Sequence, residues 1–406
     1  MQRNNDKPLD YEKIFTPGAP VRERKYLFGR DQELNDLRKA CRRPGFHPLV
    51  IGYRGVGKTS LAFMALSNYK PPAVIISCNP GTTTQILGLS ILKGVGYDIS
   101  AIESEYELSN KFGIKVAPFG IGLKANRTDI NMTKRIEIGA KRLDPWEVYS
   151  ALAECRKKYI IVIDEYDAIT RNSPIHPWVA SLIKHLSDHS NECDTRIVII
   201  GIAQSANELL GKHESIERSA REIFLRPLRR DDVFDFFTEA ESHLKIKFDS
   251  EVKKEIIQGS MGFPYYAHLI GLECMDALNE RDKNAKIVIP ADLETAIKRA
   301  VQHAFRSELR KYITAVKDLS ENEKKLIKAL VEEGGQPYRK DLEEKLEKSG
   351  VMSQKDFNNA WVRLQQEKRF LYVSRNDDTI RFCDPLLQPF LRDALFRTST
   401  KLISSQ

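Results

Sequence analysis

Residues 48–60 read Pro-Leu-Val-Ile-Gly-Tyr-Arg-Gly-Val-Gly-Lys-Thr-Ser, and they limit this chain more than any other stretch. An apolar strand pattern runs into a glycine-rich turn, and an apolar helix pattern follows from Leu61 to Leu66. The spacing Gly52-x4-Gly57-Lys58-Thr59 is the phosphate-binding loop pattern. A triphosphate is a dense anion, and backbone N–H groups can surround it closely only where no Cβ intervenes. The helix that starts near Lys58 adds unsatisfied N–H groups and a positive dipole end. Lys58 brings charge to the β- and γ-phosphates, and the Thr59 hydroxyl suits Mg²⁺. Candidate nucleotide contacts are therefore Gly52, Gly55, Val56, Gly57, Lys58, Thr59 and Ser60.

Further buried strands and helices alternate after this loop, as in an α/β parallel sheet. Residues 73–77 read as a strand and 83–93 as a helix. Asp144 caps a helix with Pro145 in its first turn. Residues 159–163 are a fully apolar strand ending in Asp164-Glu165, at the sheet edge where ligands gather. Asp164 would hold Mg²⁺ through water, and Glu165 would polarise an attacking water. The expectation is a triphosphate held between two neighbouring strand tips. A further strand, 196–201, leads to Gln204, whose polar side chain would report on the γ-phosphate. Arg218 and Arg221 lie three apart, the spacing of one helix face. Arg218 would stabilise transition-state charge, from within the chain or across a subunit boundary.

A length of 406 residues suits two or three domains. Residues 1–26 are polar and proline-bearing and read as an extended lead-in; 27–228 form the nucleotide domain. Asp31 is the expected cap of a helix carrying Leu34, Leu37 and Ala40. Residues 111–142 read as a basic β-hairpin insertion, with eight basic residues against Asp129 and Glu137. That hairpin would touch nucleic acid or a neighbouring subunit, or stand solvated. Residues 229–312 read as a helical lid with helices at 231–243, 249–258, 264–278 and 290–312. Pro264 opens the third of these within Gly262-Phe263-Pro264.

Residues 313–396 carry a separate pattern, followed by a tail at 397–406. Ser320 and Glu323 form a capping box, and Ser353 caps a third helix after one at 339–348. Phe357, Ala360, Trp361 and Leu364 would face inward, and Lys355, Asn358, Asn359 and Arg363 outward. Strands at 371–374 and 379–382 complete a helix–helix–helix–hairpin order, that of a winged-helix domain. Its third helix could enter a major groove of double-stranded DNA, with Arg375 and Arg381 on phosphates. Only 17 basic residues stand against 15 acidic ones from Lys317 onward, so protein contact is an equal alternative.

Composition narrows the partners and the compartment. A net charge of +8 permits an anionic partner without requiring one. No apolar run reaches the ~18–20 residues a membrane crossing needs, and the polar start lacks a signal-peptide core. Six scattered cysteines without paired spacing read as reduced. A cytoplasmic protein with no membrane partner is expected. His185-x3-His189 with Cys193 has no evident fourth ligand and is not read as a zinc site.

Across about residues 26–395 the chain resembles AAA+ ATPases of the origin-recognition and STAND-related group. The resemblance rests on Phe28-Gly-Arg-Asp-Gln-Glu-Leu34, the phosphate loop, Ile160-Ile-Val-Ile-Asp164-Glu165, Gly201-Ile-Ala-Gln204 and Ser215-Ile-Glu-Arg218. It implies ATP and Mg²⁺ as cofactors, with Lys58 and Thr59 as Walker A and Asp164 and Glu165 as Walker B. It puts Gln204 at sensor 1 and Arg218 in the arginine-finger region. Two departures stand out. The lid helix shows Gly262-Phe263-Pro264, similar to the Gly-x-Pro of STAND switches whose proline packs near adenine, in place of a sensor-2 arginine. Sensor 1 is Gln204 in place of asparagine. Both favour slow alternation between ATP and ADP forms. The expected function is an ATP-binding and hydrolysing switch, engaging DNA through its winged helix. The alternative is a regulatory or defence-type switch that contacts proteins, as a homo-oligomer or with another chain.

Overall fold

The computed structural model describes residues 10–69, 73–98, 116–118, 134–135, 143–203, 209, 218–304, 318–333, 337–368, 370–373 and 379–382. The chain divides into two units, Gly18–Arg226 and a second built from Met1–Pro17 together with Pro227–Gln406. The first helix, α1 (Asp10–Ile14), thus belongs with the second unit.

In the first unit, α2 (Asp31–Arg42) precedes β1 (His47–Gly52), α3 (Lys58–Leu66) and β2 (Val74–Ser77). Then come α4 (Thr84–Gly94), β3 (Tyr97–Asp98), β4 (Val116–Pro118), β5 (Lys134–Arg135) and α5 (Pro145–Glu154). The unit closes with β6 (Ile160–Asp164), α6 (Ile175–Asp188), β7 (Arg196–Gly201) and β8 (Ala220–Leu225). Six strands make one sheet in the order β4-β2-β6-β7-β1-β8, all parallel except β4 at one edge. Strands β1, β6 and β7 are buried along their whole length, which explains their unbroken apolar runs.

The structure corrects several expectations here. β1 and β6 are not neighbours, because β7 lies between them. A helix about 10 Å across spans about two strand spacings of 4.8 Å, so α3 flanks the tip two strands over. Residues 220–225 form a strand that the sequence did not announce. β8 sits at the open edge, with Arg221 and Glu222 exposed and only Ile223 and Leu225 buried, so its apolar signal is short. Arg218 and Arg221 therefore share no helix face. Of the 111–142 insertion only two pieces are described. β4 pairs with β2 and β5 with β3, so these residues do not pair as the two arms of one hairpin. Arg30, not Asp31, occupies the cap position of α2.

In the second unit, α7 (Arg230–Leu244), β9 (Lys247–Phe248), α8 (Ser250–Ser260) and α9 (Pro264–Arg281) are followed by β10 (Ile287–Val288) and α10 (Pro290–Ala304). The four helices lie where the periodicity put them; of the last expected helix, residues 305–312 are outside the described set. Residues 10–15 are not extended as expected. Tyr11, Ile14 and Phe15 recur at helical spacing and are buried. Phe15 meets Phe236, Phe237 and Phe248 at centroid distances of 5.6, 5.7 and 6.5 Å. The Tyr11 hydroxyl donates to Asp276 at 2.9 Å, and the Thr16 N–H to His268 Nδ1 at 3.1 Å.

Farther along lie α11 (Glu321–Glu333), α12 (Arg339–Lys348) and α13 (Gln354–Val362), then antiparallel β11 (Leu371–Val373) and β12 (Ile380–Phe382). The Ser320–Glu323 capping box and the Ser353 cap form as their spacing implied. Asn358 is not outward: it is half-buried and accepts from Arg339 Nη2 at 2.6 Å. Arg375 lies outside the described residues.

Candidate nucleotide-binding site

The turn after β1 is shaped by backbone limits. Gly52 has φ +147°, and a Cβ there would sit 2.4 Å from the Leu225 carbonyl oxygen of β8. Only glycine fits between the loop and its neighbouring strand. Gly55 and Gly57 also adopt positive φ, and Gly57 caps α3 in the left-handed region. The first N–H groups of α3 are thereby left to a ligand.

Lys58 Nζ donates to the Gly52 and Tyr53 carbonyls at 3.0 and 2.7 Å, folded back across the loop. Burial lowers its pKa from 10.5 to about 8, with Asp167 and Asp164 opposing the fall. The Thr59 hydroxyl donates to Asp164 Oδ2 at 2.9 Å, joining α3 to the tip of β6. Asp164 Oδ1 accepts the Glu165 N–H at 2.8 Å. Burial holds the Asp164 carboxyl above its usual range, partly countered by those two hydrogen bonds and by Lys58. Glu165 is exposed and left-handed, with φ +54°. Such a backbone is unusual for a side-chain-bearing residue, and it turns this carboxylate out of the β6 line. Desolvation raises its pKa first, followed by the charges of Asp164 and Asp167, while Arg54 opposes them. A raised carboxylate is a better proton acceptor.

Hard oxygen donors at Thr59 and Asp164 suit Mg²⁺, which keeps several waters and takes few protein ligands beside phosphates. The described geometry thus brings together Gly52, Gly55, Val56, Gly57, Lys58, Thr59, Asp164 and Glu165. Ser60 is engaged elsewhere: its Oγ accepts the Val21 N–H at 3.1 Å. Gln204 lies outside the described residues. Just before it, the Ile202 N–H donates to Asp167 Oδ1 at 2.8 Å, which ties the end of β7 to the β6 tip.

Arg218 is distant from its own phosphate loop. β8 runs parallel to β1, with Ala220 opposite His47 and Leu225 opposite Gly52. Five residues at ~3.3 Å each put the start of β8 about 17 Å from the loop end. Arg218 precedes that start, at the opposite edge of the sheet. Pro264 lies in the second unit at the first turn of α9. Gly262 beside it has φ +76°, and a Cβ there would sit 2.2 Å from the Leu228 carbonyl oxygen.

Sequence reading passed over three residues at this site. Arg54 is an exposed cation in the loop itself, and Asp167 reaches β7. Arg30 is buried and bonds the Val56 carbonyl. Asp167 follows Glu165 by two residues, a signal that was legible. The two carbonyls that Arg30 bonds are 26 and 196 residues away, and no local pattern encodes them.

Residues 44–210 match the family of the AAA domain. No curated protein matches the chain. Among solved structures, the Walker-type ATPase PABY2304 of Pyrococcus abyssi is 18% identical. The match covers 93% of this chain and 99% of that one, with a TM-score of 0.53. An Aeropyrum pernix Orc1 protein in complex with DNA is 16% identical, covering 96% of each chain, with a TM-score of 0.46. Cdc6p of Pyrobaculum aerophilum is 17% identical, covering 97% of each chain, with a TM-score of 0.45. The likeness to the Pyrococcus protein shows the fold, a parallel-sheet α/β P-loop NTPase, and the match over residues 44–210 makes that part AAA-like.

Proposed function

We propose that the protein binds and hydrolyses ATP as a slow AAA+/STAND-type switch whose C-terminal module is a winged helix that engages duplex DNA. The observation that carries the ATPase part is the join between α3 and β6, where Thr59 and Asp164 meet at 2.9 Å beside Lys58 and Glu165. When bound, Mg²⁺ would neutralise phosphate charge between Thr59 and Asp164. Lys58 exchanges its two loop carbonyls for phosphate oxygens. Glu165, turned outward, orients the attacking water and takes its proton. Gln204, three residues past β7 in the sequence, senses the γ-phosphate. Arg218, at the far sheet edge, serves the nucleotide of a neighbouring copy, which makes a homo-oligomer the working form. Pro264, at the first turn of α9, is the residue that the resemblance assigns to reading the nucleotide state.

DNA engagement rests on the order of three helices and a hairpin over residues 321–382. One observation favours a protein partner instead. Arg363 lies 3.4 Å from Glu367 and 3.5 Å from Glu323, so its charge is already met within the module. Val351 and Val362 are exposed nearby in sequence. A duplex-DNA titration with and without ATP, at several salt concentrations, separates the two. DNA engagement gives affinity that falls steeply with salt; no binding at low salt in either nucleotide state refutes it. The ATPase is tested by phosphate release from the purified chain, which must vanish in Lys58→Ala.

A further inference from the structure

Arg30 has buried its guanidinium, at 4% exposure. Its Nη2 donates to two backbone carbonyls, Val56 at 3.1 Å and Arg226 at 2.6 Å. Its Nη1 donates to Glu33 Oε1 at 3.1 Å, on the first turn of α2. Burying a cation is costly unless its donors are used, so these acceptors define what the residue is for. Both carbonyls have placements that matter. Val56 is in the phosphate loop. Arg226 is the last residue of the first unit, and the chain passes at Pro227 into the second.

The Val56 bond has a consequence through peptide geometry. A trans peptide is planar, with its C=O and N–H pointing opposite ways. Holding the Val56 carbonyl toward Arg30 therefore aims the Gly57 N–H away from Arg30. Gly57, with its positive φ and no Cβ, would otherwise let this peptide rotate freely. The Gly57 carbonyl is already fixed, since it accepts the Leu61 N–H at 2.9 Å. One guanidinium thus sets the orientation of a phosphate-binding amide and holds the carbonyl at the chain's exit.

The chain crosses between units at a second point, Pro17–Gly18. Four residues beyond Pro17, the Val21 N–H donates to Ser60 Oγ at the first turn of α3. Each crossing is thus linked indirectly to the phosphate loop or its helix, one through Val21 and the other through the Arg30 guanidinium, and only the Arg226 link uses a side chain that can be changed without touching a candidate phosphate ligand.

We propose that Arg30 is a positioning residue that presets the Val56–Gly57 peptide for phosphate and couples occupation of the loop to the crossing at Arg226. This rests on the nucleotide-binding reading above. When phosphate draws on the Gly57 N–H, the Val56 carbonyl shifts with its peptide plane. The Nη2 group, whose two N–H donors serve the two carbonyls, then moves with it and alters the bond to Arg226. Lysine cannot replace it, because a flexible point charge lacks the planar fork that spans fixed acceptors.

The test uses the full chain with the slowly hydrolysed analogue ATPγS and Mg²⁺. Parent, Arg30→Lys and Arg30→Met are compared by analogue affinity and by hydrogen exchange of the peptide 222–232. The expected result is affinity roughly tenfold weaker for Arg30→Lys and weaker still for Arg30→Met, as charge-assisted bonds are lost. At saturating analogue, the parent shows a change in exchange at 222–232, and both variants lose that change while still showing protection at 52–62. A merely structural role would not move the second readout independently of the first. Affinity within about twofold of the parent, or a response at 222–232 kept in the variants or missing in the parent, overturns the proposal. If Arg30→Met does not fold, Arg30→Lys, which keeps the charge, carries the test. Failure of the parent itself to bind ATPγS strikes the underlying nucleotide reading and is distinct from these outcomes.

Discussion

Raising the pH from about 7 to about 9 should weaken ATP binding about tenfold, through the Lys58 amine. Burial has lowered this amine from 10.5 to about 8, so in the ligand-free protein it is charged below that point and neutral above it. Phosphate oxygens would lift it again, because the charged form gains an opposite charge. Above about pH 8, binding must therefore take up a proton, and affinity falls roughly tenfold per further unit. The γ-phosphate loses its last proton near pH ~6, so ATP's own charge stays constant over the range. Titrating a fluorescent ATP analogue with Mg²⁺ at several pH values measures the curve. Lys58→Arg, charged throughout, should bind more weakly but without this pH dependence. Stability of the ligand-free chain moves the opposite way. A depressed lysine penalises the fold fully below its folded pKa, and the penalty is relieved as pH rises from about 8 toward 10.5. Flat affinity through pH 9 in the parent, or an equal fall in Lys58→Arg, would refute the role given to this amine.

Three other perturbations have worked outcomes. Glu165→Gln should bind ATP like the parent while phosphate release falls roughly 10²–10⁴-fold, the usual worth of a positioned base; release at the parent's rate removes Glu165 from the chemistry. Arg218→Ala should keep nucleotide affinity and lose up to ~10³-fold in turnover. Activity should return on mixing with Lys58→Ala chains, since each supplies what the other lacks, and no recovery would mean that Arg218 does not act across a subunit boundary. Phe15→Ala, at a ring 1% exposed, should destabilise the helical unit by about 3–5 kcal/mol in urea unfolding. A change under ~1 kcal/mol would show that the N-terminal helix is not part of that core.

Much of the site was legible because its chemistry is local. The phosphate loop needs glycines, an amine and a hydroxyl within eight residues, and Asp164-Glu165 sit at the end of one apolar strand. The capping residues at Asp144, Ser320 and Ser353 were equally plain, since a cap and the N–H it accepts are two or three residues apart. β8 was not legible, because a half-exposed edge strand shows little hydrophobic period. Nor was the place of α1, whose few apolar residues say that it packs but not against which core.

By itself, the sequence determined that a strand, a phosphate-binding turn and a helix follow one another, and that two carboxylates end a buried strand. Tertiary structure decided the rest. It put β7 between β1 and β6, sent Arg218 to the opposite edge from its own loop, and ran one arginine between the Val56 and Arg226 carbonyls. Those outcomes depend on strand order, on parallel register and on acceptors far apart in the chain. Residue type and short-range spacing carry none of that information, because distant segments meet only once the shared core has formed.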